Sequence, residues 1–170
     1  MKILVLNGSP RKKGNTAALV AAFKEGAESK GNEVEVIPVG NLKIAGCIGC
    51  EYCHTKGEGT CVQQDDMQSV YPKLASADMV VFASPVYYFA FTGQMQNAIT
   101  RFYAPWTPAA KKYALILSSG SPDVYDAIKT QYLGFLRFIK AQDCGIKTFC
   151  GTDQTNEKNL AAMREFGASL

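Results

Sequence analysis

Four cysteines, Cys47, Cys50, Cys53 and Cys61, are grouped in one short stretch of the chain. Two successive C-x2-C steps match the first part of a ferredoxin ligand run, and four thiolates suit a [4Fe–4S] cluster. Tetrahedral zinc takes the same donors, although structural zinc sites more often use two separated C-x-x-C pairs. Free thiols fit the spacing equally, so it leaves all three readings open. A second group is Gly8-Ser9-Pro10-Arg11-Lys12-Lys13-Gly14-Asn15-Thr16. Hydroxyls from Ser9 and Thr16, the Asn15 amide and the Arg11 guanidinium surround Gly14 where a helix is expected to begin. A helix amino end presents unpaired N–H groups and partial positive charge, so it receives anions. The stretch is neither a Walker A loop nor a dinucleotide Gly-x-Gly-x-x-Gly. Its size and charge suit one terminal phosphate. The plain alternative is a polar strand–helix turn with a solvated basic tip.

These residues need elements to position them. Lys2–Leu6 is a short apolar run ended by the turn signal Asn7-Gly8-Ser9-Pro10. Asn15 or Thr16 then caps an alanine-rich helix running to about Ser29. Glu33–Val39 reads as a second strand, and residues 40–64 as a long functional loop that is cysteine-rich over about 43–64. Asp65 and Gln68 form a capping-box pattern, followed by Met67, Val70, Tyr71 and Leu74 at helical spacing. Pro72 is expected to kink or shorten that helix. Met79–Ala83 is a third strand, Gly93–Tyr103 a helix, and Lys112–Leu117 a fourth strand. Ser121-Pro122-Asp123 looks like a helix start, with Val124, Ile128, Tyr132, Phe135 and Ile139 along one face. Ile146–Cys150 is a fifth strand and Asn156–Gly167 a last helix. This alternation predicts one α/β domain over residues 1–170, with a five-stranded parallel sheet in order 2-1-3-4-5 and helices on both faces. Ligands of such sheets sit at the carboxyl ends of strands 1 and 3, which singles out residues 7–16 and 84–92.

The stretch Asn7-Gly8-Ser9-Pro10-Arg11-x-x-Gly14-Asn15-Thr16 resembles the FMN-phosphate loop of the NADPH-dependent FMN reductase group of flavodoxin-like proteins. The similarity extends through Asp65-Asp66-Met67, Ser84-Pro85-Val86-Tyr87-Tyr88 and Gly93-Gln94-Met95-Gln96-Asn97, over roughly residues 1–125. It implies a flavodoxin-like fold, with FMN held by Ser9, Arg11, Gly14, Asn15 and Thr16. Under it, Pro85, Val86, Tyr87, Tyr88 and Phe89 supply an apolar wall and N–H donors for the ring. Those aromatics could equally be core or interface residues. Ser119 and Gly120, in the loop Ser118–Ser121, turn N–H groups toward the pyrimidine side and stabilise reduced flavin; a serine-rich helix cap reads the same. The cysteine set also resembles that of the iron–sulfur flavoproteins, a branch of the same group.

The resemblance implies an FMN-dependent oxidoreductase with NAD(P)H as co-substrate. Electrons would pass to a quinone, a flavin, another small-molecule acceptor, or a redox partner protein. The cofactor carries the chemistry, so no side-chain acid–base pair is expected. The rival reading is an electron carrier built on FMN and a [4Fe–4S] cluster. A further rival is a flavodoxin-shaped protein without redox activity.

Composition narrows the field. Hydrophobic residues are 47% and charged residues 19% of the chain, which excludes disorder. Net charge is +3, and Arg11-Lys12-Lys13 is the one basic block, so no nucleic-acid face is expected. No apolar run reaches the ~18 residues of a bilayer span, and the start lacks a signal-peptide pattern. A cytoplasmic protein with reduced thiols is expected. Cys144 and Cys150 read as packing thiols, and His54 as an exposed loop residue. Pro105, Trp106 and Pro108 are read as an interface or as a cover for a neighbour's flavin. The aromatic excess near residues 87–106 points to a homo-oligomer, a dimer or tetramer.

Overall fold

The computed structural model describes residues 1–104 and 109–170. Pro105, Trp106 and Pro108 lie outside the described residues. Five parallel strands form one sheet: β1 (Lys2–Asn7), β2 (Glu33–Ile37), β3 (Met79–Pro85), β4 (Lys112–Ser119) and β5 (Gln142–Cys150), in the order β2-β1-β3-β4-β5. This is the expected winding, and it reverses direction between β1 and β3.

Alternation along the strands divides the core into two layers. Ile3 and Val5 of β1, with Val81, Ala83 and Ile116, pack under α1 (Asn15–Glu28) and α6 (Glu157–Ala168). Leu4 and Leu6, with Val80, Phe82, Leu115 and Leu117, pack under α3 (Met67–Ser76), α4 (Gly93–Thr100) and α5 (Asp126–Ile139). Phe82 is the hub of the second layer; its ring lies 5.8 Å from Phe102 and Tyr113 and 5.9 Å from Phe135. The four-residue helix α2 (Tyr52–Thr55) stands in the cysteine loop. Helices α1 and α6 pack closely because Gly26 and Gly167 face each other's backbones. A Cβ on Gly26 would meet the Arg164 carbonyl oxygen at 1.9 Å, and one on Gly167 would meet that of Phe23 at 2.1 Å.

Several element boundaries differ from the sequence reading. Helix α1 is capped by Gly14, with no side-chain cap, rather than by Asn15 or Thr16. Gln68 does not close a capping box; its amide instead donates to the carbonyls of Cys61 and Gln63. Pro72 stays inside α3, which runs on to Ser76. The helix near residue 100 tightens into a 3-10 turn at Arg101–Tyr103, and Val39 begins another such turn instead of ending β2. Ser121-Pro122-Asp123 is a turn: Asp123 has φ +58°, and α5 starts later at Asp126. Strand β5 begins earlier, because the Gln142 N–H bonds the Lys111 carbonyl and pairs the strand with the start of β4.

Candidate functional site

The carboxyl ends of β1, β3 and β4 open into one cleft of about 300 Å³. Its walls are the loop after β1 (Ser9, Arg11, Lys13, Gly14, Asn15, Thr16), the loop after β3 (Pro85, Val86, Tyr87) and the loop after β4 (Ser118, Ser119, Gly120), with Gln154 beyond β5. Ten of the residues singled out above therefore meet here: Ser9, Arg11, Gly14, Asn15, Thr16, Pro85, Val86, Tyr87, Ser119 and Gly120. The sequence reading missed Gln154 altogether. Its position just past the last strand was the available signal, because in this fold every strand's carboxyl end faces the same side.

The first loop is held before any ligand arrives. The Asn7 amide oxygen accepts the Ser9 N–H at 3.0 Å, and the Ser9 hydroxyl accepts the Arg11 N–H at 3.2 Å. The Thr92 hydroxyl donates to the Gly8 carbonyl at 2.8 Å, which ties the loop to the start of α4. Gly40 presses against the far side; a Cβ there would lie 2.3 Å from the Ser9 carbonyl oxygen. Because α1 has no side-chain cap and no acidic residue in its first turn, its leading N–H groups face the cleft. A terminal phosphate fits this cradle. Thr16, which is buried, shares a 2.7 Å hydrogen bond with the Ser118 hydroxyl and so joins the first loop to the third.

The second loop does not present all its aromatics. Tyr87 and Ala90 exchange two backbone hydrogen bonds around a tight turn, with Tyr88 at φ +50° and Phe89 at φ +66°. Left-handed backbone at both central positions throws these rings outward. Tyr88 is 97% and Phe89 54% exposed, and neither lines the cleft. Only Pro85, Val86 and Tyr87 contribute to the wall.

The four clustered cysteines line a second, much smaller pocket of about 20 Å³, together with Glu51, Arg101 and Tyr103. Cys47 and Cys50 are exposed, whereas Cys53 and Cys61 are buried. Burial, with Cys61, Cys47 and Glu51 nearby, pushes the Cys53 thiol above its ordinary value. Four thiols on one pocket are the right donor type for iron or zinc. Among the described residues, however, no three are grouped as metal ligands. His54 is half-buried rather than fully exposed, its ring edge-on to Tyr103 at 4.3 Å. Cys150 is exposed, so it is not a packing thiol; Cys144 packs against the α1–α6 layer.

Arg101 anchors this region, and the sequence reading did not single it out. Its side chain is 1% exposed and pairs with Asp65 at 2.7 Å. The guanidinium also donates to the carbonyls of Ala45 and Gln63 and to the Tyr71 hydroxyl. The pair therefore clasps both ends of the cysteine loop. Burial raises the Asp65 carboxyl, but the Arg101 hydrogen bond and the N–H groups of Ala45 and Met67 outweigh it, holding the group below its usual value.

Residues 1–154 match the family model described as NADPH-dependent FMN reductase. An iron-sulfur flavoprotein of Archaeoglobus fulgidus is 43% identical over 101 residues, covering 59% of this chain and 45% of that protein. The chain spans about half the length of the curated relatives it matches. A solved structure from Streptococcus mutans superposes with a TM-score of 0.81 at 15% identity, covering 100% of both chains. An NAD(P)H:quinone oxidoreductase from Methanothermobacter marburgensis superposes at TM-score 0.72 and 18% identity, over 99% of this chain and 96% of that one. These two likenesses show the flavodoxin-like fold.

Proposed function

We propose, from the premise that the chain belongs to the NADPH-dependent FMN reductase family, that it is an FMN-dependent NAD(P)H oxidoreductase acting on a quinone, a flavin or another small acceptor. The observation that carries this reading is the single cleft joining an uncapped helix end to the loops after β3 and β4. FMN, when bound, takes a hydride from reduced nicotinamide and passes the electrons on. The residues of this chain bind and orient. Ser9, Asn15, Thr16 and the first turn of α1 hold the phosphate, with Arg11 and Lys13 adding positive charge. Pro85, Val86 and Tyr87 form the ring's apolar wall, and Ser119 and Gly120 face its polar edge. The exposed Tyr88 and Phe89 rings support a homo-oligomeric assembly, dimer or tetramer, in which a second copy covers them. A cytoplasmic location fits this reading, because thiols stay reduced there. Among the described residues no helix is long and apolar enough to cross a membrane.

The test is mass analysis of heat-released cofactor, followed by NADPH oxidation with a quinone acceptor. FMN and turnover are expected; FAD as the sole species would overturn the reading.

A second reading is favoured by the convergence of Cys47, Cys50, Cys53 and Cys61 on one pocket and by a relative named an iron-sulfur flavoprotein. In it the four thiols hold a [4Fe–4S] cluster that exchanges electrons with FMN and serves a redox partner protein. Protein made anaerobically with iron should then contain iron and sulfide. Cys50→Ala should lose both and keep its flavin absorption, because the flavin loops lie elsewhere. Wild-type protein with flavin but no iron or sulfide returns the cysteines to zinc or free thiols.

A further inference from the structure

Gln154 is 4% exposed and sits where β5 leaves the sheet, at the wall of the cleft. Its amide nitrogen donates to the Ser119 carbonyl at 2.8 Å and to the Gly151 carbonyl at 2.7 Å. With carbonyls on both sides, the amide has one orientation, and its oxygen is left buried without a partner among the described residues. A buried unpaired acceptor lowers stability, which offsets part of what the two donated bonds contribute. The amide's defined contribution is the pair of bonds it donates to the Ser119 and Gly151 carbonyls.

What the amide does is turn a peptide. At the end of β4 successive carbonyls point to opposite neighbours. Ser118 accepts the Val86 N–H on the β3 side, and Ser119 accepts the Gly151 N–H on the β5 side at 2.9 Å. In a planar trans peptide the next N–H points opposite to the carbonyl. With the Ser119 carbonyl drawn toward β5 by two donors, the Gly120 N–H faces the arm Pro85–Tyr87 across the cleft. No described residue accepts that N–H.

We infer that Gln154 is a positioning residue which, through the Ser119 carbonyl, fixes the Gly120 N–H as a donor to the edge of the bound flavin that becomes negative on reduction. The inference rests on the flavin reading above. A fixed donor aimed at developing charge favours the charged form over the neutral one. Gln154 thus acts on the difference between reduced and oxidised FMN, not on the phosphate grip.

The experiment compares affinities of purified protein for oxidised and reduced FMN, with the reduction potential as a second readout. Gln154→Met is expected to weaken reduced FMN about tenfold and oxidised FMN less than threefold. The ratio of the two affinities then changes about three- to tenfold, which makes a two-electron potential about 15–30 mV more negative. Gly120→Pro removes the N–H itself, and a Cβ at Gly120 meets nothing within 4 Å. It should shift the ratio the same way, and Gln154→Met added to it should shift it no further, because both act through one donor. Gln154→Leu repeats the test with a second apolar side chain. An unchanged ratio in Gln154→Met that still binds FMN overturns this inference alone, as does a full extra shift in the double variant. Loss of the fold in both the Met and Leu variants would make the glutamine structural and overturn it too. Wild-type protein that binds neither form of FMN would overturn the flavin reading itself, and this inference with it.

Discussion

The cleft at the strand ends and the cysteine pocket are built in opposite ways. The cleft is made of backbone at the ends of β1, β3 and β4, and the sheet's hydrogen bonds fix its walls. The cysteine pocket hangs on a long connection whose one helix is the four-residue α2. That connection is fixed by the buried Arg101–Asp65 pair and the carbonyls it gathers, together with bonds from the Asp66, Asn97, Thr100, Gln63 and Gln68 side chains to its backbone. The first site has a volume of about 300 Å³ and the second about 20 Å³. A site on strand ends is shaped by the core before it meets a ligand. A site on a loop depends on a few polar contacts, so a single substitution can undo it.

The sharpest way to break the comparison is Arg101→Met. It leaves Asp65 without its partner and frees the carbonyls of Ala45 and Gln63. Removing one member of a buried pair costs about 3–5 kcal/mol. Denaturant unfolding should show a loss of that order, and thiol labelling should show Cys53 and Cys61 becoming reactive. FMN affinity of the folded protein should change less than threefold. A tenfold loss of FMN affinity would mean the two regions are not independent.

The converse change is Asn15→Ala with Thr16→Ala. It removes side-chain donors at the phosphate end and the Thr16–Ser118 link, while α1 keeps its N–H groups. Hydrogen bonds to a charged group contribute about 1.5–3 kcal/mol each. FMN affinity by fluorescence titration should therefore fall at least tenfold, with labelling of the four cysteines unchanged. Unaltered affinity would place the phosphate elsewhere.

The smallest effect is in acid. The folded Asp65 carboxyl lies below its unfolded value of about 3.9. Its stabilising contribution is present above that value and is lost as pH falls through the lower folded value. The stability gap between wild type and Asp65→Asn should be constant from pH 5 to 8 and narrow below about pH 4. A gap that stays constant into acid would remove Asp65 as the titrating partner of Arg101.

The sequence by itself determined the sheet and the place of the cleft. Apolar runs, turn residues and right-handed crossovers are local signals, and together they gave the order 2-1-3-4-5 and the loops that meet at its carboxyl edge. That is why Ser9, Gly14, Asn15, Thr16, Pro85 and Gly120 were legible from residue type and position. Tyr88 and Phe89 were not. Nothing in two adjacent aromatics says that both backbones are left-handed, and that one fact turns their rings out of the cleft. The start of α5 was misjudged at Ser121 because a capping serine and a turn residue share the same chemistry. The Arg101–Asp65 pair joins residues 36 apart in the chain, and the Gln154 latch crosses 35. Such contacts exist only once the helices and strands have packed, because a side chain's partner across the fold is set by three-dimensional proximity, which sequence spacing does not encode. Tertiary structure alone decided which of the four cysteines are buried, which amide holds the Ser119 carbonyl, and which ion pair holds the cysteine loop.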